Sequence, residues 1–309
     1  MIVKAHLDRA IATRRSVVLQ DASRTRPVRV DLWAPVNGDG ARPHGPPPAV
    51  VLSHGAFGAA VNYSWLAAHM AVAGYLVAGV SHFGESFIYG AETIDPTSVV
   101  RPWVRPADCS FVLDRLLEGA LPVGAVAAGR IAAVGHSSGG ATALELVGAA
   151  FDPGSMRRYC GSARAARDKG CGYARGDAGV AAAVRGTEDP VPDLRDDRVR
   201  AVVALDPALG PGHPDESLSA ITVPVLVVGA VQNEFLPFEH HAARYAASIP
   251  GARLVRLDEG EGHFVFLDEA TSDATSNGVP LYRDRPGVDR GAVHRRLGAT
   301  ITDFLDGSL

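Results

Sequence analysis

The sequence predicts an α/β fold, with a mostly parallel central sheet and helices on both of its faces. From residue 49 onward, short apolar runs rich in β-branched residues recur without polar alternation, which is typical of strands covered on both sides. Segments of helical character separate these runs, and strands that alternate with helices indicate βαβ units. No internal repeat and no start of a second core is visible, so we expect one domain over residues 1–309.

Two strands precede the parallel region. Residues 16–20 and 27–33 flank the turn-rich segment DASRTR, and VRVDLW alternates in the way expected of an antiparallel pair at a sheet edge. The Gly- and Pro-rich residues 35–48 predict a surface loop. Six further strands are predicted at 49–53, 75–80, 130–135, 200–205, 224–229 and 252–257, and helices at 62–74, 106–118, 139–150, 238–248 and 291–306.

Residues 151–198 interrupt this alternation. So long a connection inside one domain is uncommon unless it is functional, and we predict a lid over the site. The segment contains Cys160 and Cys171, and Cys109 is the third cysteine of the chain. Three cysteines are too few for a disulfide framework. Cys160 and Cys171 lie close enough in sequence to form a disulfide within the segment, but a reducing cytoplasm favours free thiols.

Composition narrows the possible partners. A net charge of −4 and an isoelectric point near 6.3 give no reason to expect nucleic acid. No stretch approaches the roughly 18 apolar residues of a membrane span, and charges occupy the place of a signal-peptide core. We therefore expect a soluble cytoplasmic protein with a small-molecule partner and leave its oligomeric state open.

The segment Arg130–Gly140 contains the pattern Gly-x-Ser-x-Gly between an apolar strand and a helix-forming run. Such a turn lifts a serine above the sheet edge, and its tightness requires very small neighbours at Gly135 and Gly139. A chance Gly/Ser turn would not need a strand before it and a helix after it. The pattern predicts Ser137 as a nucleophile.

A serine nucleophile needs hydrogen-bond donors for the oxyanion that develops on the substrate. One predicted donor is the backbone N–H of Ser138, directly after the nucleophile. The loop after strand 49–53 reads SHGAFG, and we assign the second donor to the N–H of Ala56, with Phe57 as the alternative.

The general base should be a histidine late in the chain, because the order in this type of site is serine, acid, histidine. His263 follows the strand 252–257 within the flexible turn EGEGHF. His213, His240 and His241 have no comparable position, and we expect His294 on a helix surface.

Two loops could supply the acid that orients the histidine. Asp206 follows the strand 200–205, whereas Gln232, Asn233 and Glu234 follow the next strand. An amide cannot stabilise an imidazolium, so Asp206 is favoured and Glu234 is the alternative. Asp206 could also be a helix N-cap before Pro207.

With these residues the chain resembles the bacterial dienelactone-hydrolase-like group that contains the platelet-activating-factor acetylhydrolases. The resemblance rests on VVLSHGAFG, GHSSGG, RAVVALDPALG and EGHFVFLD and covers nearly the whole chain. It implies an α/β-hydrolase fold, and its acetylhydrolase-like members have their acid at the place of Asp206. The segment at 80–86 looks like the family's loop after the fourth strand, which we interpret as a pocket wall. Dienelactone hydrolases use cysteine, so their specificity does not follow.

These residues predict a serine hydrolase that cleaves a carboxylic ester, with Ser137, Asp206 and His263 as the catalytic residues. No metal or organic cofactor is expected, since neither a zinc nor a phosphate-binding pattern is present. An acyltransferase, or an amidase or peptidase, would use the same residues and stays an alternative. A non-catalytic binding scaffold is disfavoured because it has no need of all three residues.

Overall fold

The computed structural model describes residues 14–35, 45–175 and 193–309. One sheet contains eight strands: β1 (Arg15–Asp21), β2 (Arg26–Trp33), β3 (Ala49–Ser53), β4 (Leu76–Ser81), β5 (Ile131–His136), β6 (Val199–Leu205), β7 (Val225–Ala230) and β8 (Arg253–Leu257). Their order is β1-β2-β4-β3-β5-β6-β7-β8. The first two junctions, β1–β2 and β2–β4, are antiparallel and the others are parallel. All eight predicted strands are present, and the predicted edge pair is confirmed.

The described helices are α1 (Ser64–Val72), α2 (Val104–Leu117), α3 (Ser138–Glu145), α4 (Pro153–Cys160), α5 (Gly172–Arg175), α6 (Asp215–Ser219), α7 (Ala242–Ser248) and α8 (Arg290–Asp306). The five predicted helices are present, although the one predicted at 139–150 ends at Glu145. Helices α4, α5 and α6 were not predicted, and neither was the hairpin of β9 (Thr275–Ser276) and β10 (Val279–Pro280). None of the described helices is long and apolar enough to cross a membrane.

The sheet is apolar on both faces because helices cover both. Adjacent residues of a strand point to opposite sides. Val50 accordingly belongs to a buried cluster with Leu66 of α1 and Ile301 of α8. Its neighbour Val51 belongs to a second cluster with Leu113 of α2 and residues of α3 and α7. This double coverage explains why the strand sequences do not alternate.

The described part of the predicted lid contains two short helices. Helix α4 begins after Asp152, whose side chain accepts hydrogen bonds from two backbone N–H groups of the first turn, and Pro153 occupies the first helical position. Residues 176–192 of the predicted lid, and 36–44 of the predicted loop, lie outside the described residues. We refer to residues 151–173 as the cap segment.

The expectation of free thiols in this segment is wrong. Cys160 and Cys171 form a disulfide, with 5.5 Å between their Cα atoms. Helix α4 ends at Cys160, and the chain turns back through a short 3₁₀ helix at Ala163–Ala165, which returns Cys171 to the helix end. The remaining cysteine, Cys109, is buried and unpaired as a thiol.

The expectation of a surface position for His294 is also wrong. Its ring is buried and stacks on Trp65 of α1 with 4.0 Å between ring centroids. Its Nε2 donates to the carbonyl of Val265 at 2.7 Å. The amphipathic pattern of α8 places His294 on the face that packs against α1, so the ring is enclosed between two helices.

Candidate active site

Ser137 lies on a tight turn between β5 and α3. Its backbone angles are φ 55° and ψ −120°, a conformation that L-residues rarely adopt. A Cβ on Gly135 would lie 2.0 Å from the carbonyl oxygen of Gly139, and a Cβ on Gly139 would lie 2.1 Å from that of Ser53. Glycine is therefore required on both sides of the serine, as the pattern predicted.

Parallel strands bring Asp206 and His263 to the same edge of the sheet as Ser137. Asp206 follows β6, the neighbour of β5, and His263 follows β8. The Nε2 atom of His263 lies 3.0 Å from Ser137 Oγ, and its Nδ1 lies 2.5 Å from Asp206 Oδ2. The structure thus joins these three residues in one hydrogen-bonded chain, whose members are all buried.

The alternative acid, Glu234, does not contact the imidazole nitrogens of His263. Its Oε1 accepts the backbone N–H of His263 at 3.3 Å, and its Oε2 accepts a hydrogen bond from Arg285 at 3.2 Å.

Asn233 contacts Asp206, which the sequence analysis did not predict. Its amide donates to Asp206 Oδ2, and its own oxygen accepts two backbone N–H groups at 2.8 Å. Asn233 therefore fixes both the loop and the carboxylate.

Burial controls the protonation of His263 and Asp206. Burial lowers the pKa of His263 to about 3, which outweighs the raising effect of Glu234. Burial also raises the pKa of Asp206 to about 7, opposed by the hydrogen bond from the N–H of Ala230 and by nearby His241. The lowered pKa of His263 opposes a charged imidazolium, and the raised pKa of Asp206 opposes a charged carboxylate, so both shifts disfavour the ion pair in the resting state. The proton of the neutral ring lies on Nδ1, beside the carboxylate, so Nε2 presents its lone pair to Ser137 Oγ.

The loop after β3 carries the two candidates for the second oxyanion donor, the N–H groups of Ala56 and Phe57. Gly55 and Gly58 close a turn with a hydrogen bond of 3.1 Å, and Phe57 has a positive φ of 58°. Within the described part of the chain, the N–H groups of Ala56, Phe57 and Ser138 donate no hydrogen bond. Ala56 lines a cavity together with Ser137 and His263, and Ser138 is the first residue of α3.

A buried relay links this loop to the serine and the histidine. The Tyr63 hydroxyl accepts the N–H of Gly55 at 3.0 Å and donates to His136 Nδ1 at 2.8 Å. His136 Nε2 in turn donates to the carbonyl of His263 at 2.9 Å. Sequence reasoning did not find Tyr63, because its two partners, Gly55 and His136, lie at the ends of two different strands.

The interpretation of segment 80–86 as a pocket wall is wrong. Glu85 is buried and pairs with the equally buried Arg105, at 2.5 Å between Oε2 and Nη2. Arg105 Nη1 also donates to the carbonyl of His54 at 2.6 Å. Among the described residues, none of 80–86 lines either cavity beside Ser137. The segment therefore supports the loop after β3, because Glu85 holds Arg105 and Arg105 bonds to that loop at His54. A buried Arg–Glu pair needs such additional hydrogen bonds.

Ser137 lies between two cavities. The first, which we call the cap cavity, has a volume of about 80 Å³. The second, the hairpin cavity, has a volume of about 560 Å³ and lies beside the loop after β3 and the β9–β10 hairpin. Ser137, Tyr173 and Phe235 line both. The cap cavity is also lined by both cysteines of the disulfide and by Ser138.

Comparison with known proteins supports the fold. No family model and no curated protein matches the sequence. Among solved structures, a ferulic acid esterase from Streptomyces cinnamoneus aligns with a TM-score of 0.63 at 23% identity, covering 96% of this chain and 89% of that one. A puromycin-hydrolyzing peptidase of Mycobacterium tuberculosis aligns with a TM-score of 0.59 at 17% identity, covering 96% of this chain. A puromycin hydrolase gives 0.53 at 18% identity, covering 81%.

This chain spans only 39% and 36% of the lengths of the two puromycin-cleaving proteins, whereas it matches most of the esterase. At these identities the likeness shows the fold alone. Together with the eight-stranded, mostly parallel sheet and its helices, it identifies an α/β-hydrolase fold. The particular subfamily suggested by the sequence is not distinguished by these matches.

Proposed function

We propose that this protein is a serine hydrolase that cleaves carboxylic esters through an acyl-enzyme on Ser137. The observation that carries the proposal is the continuous chain from Ser137 Oγ through the ring of His263 to the carboxylate of Asp206, with spacings of 3.0 and 2.5 Å. Both spacings are within hydrogen-bond reach, the geometry required of a nucleophile, its base and the group that orients the base.

In the proposed reaction, Ser137 Oγ attacks the ester carbonyl while its proton moves to His263 Nε2. The carbonyl oxygen becomes an oxyanion, which accepts hydrogen bonds from the N–H groups of Ser138 and Ala56. One such donor contributes about 3 to 4 kcal/mol to stabilisation of the transition state. The negative charge of Asp206 stabilises the imidazolium formed in this step.

Collapse of the tetrahedral intermediate breaks the bond between the carbonyl carbon and the alcohol oxygen. His263 Nε2–H gives its proton to that oxygen, and the alcohol leaves. Water then attacks the acyl-enzyme, with Nε2 taking a proton from the water and returning it to Ser137 Oγ as the acid departs. These steps use only groups of this chain and water.

The first test is labelling with a fluorophosphonate probe, followed by intact mass and peptide mapping. We expect a single adduct on Ser137, lost in Ser137→Ala and retained in Ser219→Ala, a surface serine of α6 with a side-chain hydrogen bond of its own. An adduct on another serine, or ester cleavage that survives Ser137→Ala, would overturn the proposed nucleophile.

The second test separates the related activities. Cleavage of p-nitrophenyl butyrate is compared with cleavage of butyryl p-nitroanilide, which carries the same acyl group on an amine. A higher kcat/KM for the anilide would favour the amidase or peptidase alternative, in line with the activities named for two of the structural matches. Formation of a new ester in the presence of a second alcohol, at the expense of free acid, would favour an acyltransferase.

A further inference from the structure

The position of His263 distinguishes the two cavities that meet at Ser137. His263 lines the hairpin cavity and, within the described residues, is not part of the cap cavity wall. Ser138, whose N–H is the candidate oxyanion donor next to the nucleophile, lines the cap cavity instead. An ester bound at Ser137 extends in two directions from its carbonyl carbon, so each of its two parts has a cavity of its own.

Proton transfer determines which part occupies which cavity. The alcohol oxygen must come within hydrogen-bond reach of His263 Nε2, because that atom protonates it as it leaves. The alcohol therefore has to lie on the side of Ser137 where His263 borders a cavity. We propose that the alcohol part occupies the hairpin cavity and the acyl part the cap cavity, an assignment that rests on the proposed serine-hydrolase function.

The wall of the cap cavity suits an apolar acyl group. Its large side chains are Phe151, Met156, Leu209, Leu236, Tyr173 and Phe235. Two charged residues also belong to it. Asp168 has a fully buried carboxylate bonded to His241 at 2.8 Å, and Arg157 is an exposed residue. An apolar chain gains about 0.8 kcal/mol for each methylene that leaves water in such a site.

The hairpin cavity has a different chemistry. Its wall combines apolar and uncharged polar side chains. The large apolar ones include Phe57, Phe87, Phe264, Leu267 and Leu281, and the polar ones include Asn62, Ser272, Thr275, Ser276, Asn277 and Tyr282. Among the described residues that line it, none is an aspartate, glutamate, lysine or arginine. Amides and hydroxyls of this kind both donate and accept hydrogen bonds, which matches the hydroxyl groups of a polyol. The substrate class is thus an ester of an apolar acid with an uncharged alcohol that bears several hydroxyl groups.

Side-chain contacts between the cap segment and the hairpin form a partition between the two cavities. Tyr173 of the cap segment bonds to Ser276 of the hairpin at 2.6 Å, and the amide of Asn277 donates to the carbonyl of Lys169 at 2.8 Å. The ring of Tyr173 also meets Phe57 edge to face, at 5.5 Å between centroids. These contacts tie the cap segment to the hairpin across the space between the cavities.

A pair of reversed esters tests the assignment. Monohexanoylglycerol has an apolar acid and a polar alcohol, whereas hexyl glycerate joins a polar acid to an apolar alcohol. We expect kcat/KM to be at least about tenfold higher for monohexanoylglycerol. The α-hydroxyl of glycerate activates its carbonyl, so intrinsic reactivity favours the opposite result. Equal values, or a preference for hexyl glycerate, would overturn the assignment.

Two variants locate the preference in the structure. Met156→Trp narrows the cap cavity and should lower the kcat/KM ratio of hexanoyl to acetyl methyl esters by about tenfold. Thr275→Trp narrows the hairpin cavity and should lower the ratio of monohexanoylglycerol to methyl hexanoate. If Met156→Trp changed the preference for the alcohol, and Thr275→Trp changed the preference for the acyl chain, the assignment would be refuted.

Acyl-enzyme hydrolysis gives a readout that folding defects do not imitate. All hexanoyl esters form the same acyl-enzyme, so Met156→Trp should change its rate of hydrolysis, whereas Thr275→Trp should change only the rate of its formation. Rapid-quench measurement of the two rates separates these effects. If Ser137 forms no acyl-enzyme at all, the proposed function fails; if the acyl-enzyme forms with the reverse preference, only this inference fails.

Discussion

Replacing Asp206 by asparagine should nearly abolish catalysis while the fold persists. Asp206 accepts hydrogen bonds from the His263 ring, from the N–H of Ala230 at 3.2 Å and from Asn233. In Asp206→Asn, the oxygen of the new amide satisfies Ala230. Its NH₂ faces His263 Nδ1 and also the amide of Asn233, which loses its acceptor. The ring must then accept at Nδ1 and hold its proton on Nε2, the tautomer that cannot take a proton from Ser137. Asparagine tolerates the positive φ of 42° at this position, so the backbone is preserved.

The expected loss in kcat is about 10⁴-fold, equivalent to about 5.5 kcal/mol of transition-state stabilisation. Glu234→Gln is the matched control. Its amide oxygen still accepts the backbone N–H of His263. The variant loses the half-exposed pair with Arg285, worth at most about 1 kcal/mol, and the charge of Glu234 that raises the pKa of His263. Initial rates with a p-nitrophenyl ester, alongside thermal unfolding of each variant, provide the assay. A 10³-fold loss in Glu234→Gln, or a loss below tenfold in Asp206→Asn, would refute the assignment of the acid.

Tyr63→Phe should lower kcat by ten- to a hundredfold with little change in KM, because the buried N–H of Gly55 and the ring of His136 lose their shared partner; an effect confined to KM in steady-state kinetics would contradict this. Replacing both Cys160 and Cys171 by serine should lower the free energy of unfolding by about 3 kcal/mol, given their separation of 11 residues. Reductant should destabilise the wild type in urea unfolding but not the double variant, and insensitivity of both would count against the disulfide. Burial lowers the pKa of His294 to about 4, so the unfolded chain binds a proton more readily and stability falls as pH drops from 6.5 towards 4, by about 2 kcal/mol at pH 5. His294→Gln keeps a donor for Val265 and should reduce the difference in Tm between pH 7 and pH 5, whereas an undiminished difference would exclude His294 as its source.

The residues at strand ends could be predicted because the backbone alone positions them. The apolar strands define a parallel sheet, and the carboxyl ends of neighbouring parallel strands meet at one edge. Ser137 and Asp206 follow such a strand directly, and His263 follows one after a five-residue turn; their contacts are those expected from that arrangement. The parallel sheet, its antiparallel edge pair and the approach of Ser137 to Asp206 therefore required no knowledge of loop conformation.

The mispredicted features depend on side-chain contacts that no local sequence pattern shows. His294 is buried because it stacks on Trp65, a residue 229 positions earlier, and nothing within α8 reveals that partner. The disulfide was missed because a count of three cysteines does not show whether a turn brings two of them together, as it does for Cys160 and Cys171. The expected free thiols rested on a reducing compartment, and the observed pairing removes that support for cytoplasmic residence.

The proposed chemistry and the proposed selectivity of this protein also depend on different features: backbone positions at strand ends for the first, and side-chain contacts between loops for the second. The proposed reacting groups lie just beyond the carboxyl ends of strands of the sheet, so their spacing is maintained largely by the core that the whole fold buries. The partition between the cavities has no such support. It depends on single side-chain contacts, such as that between Tyr173 and Ser276, which join two connections of little regular structure. A few substitutions in the cap segment or the hairpin can therefore change which esters bind without moving Ser137 or His263. We expect variants that alter substrate preference to fall in those two segments, and variants that abolish turnover for every ester to fall at the strand ends.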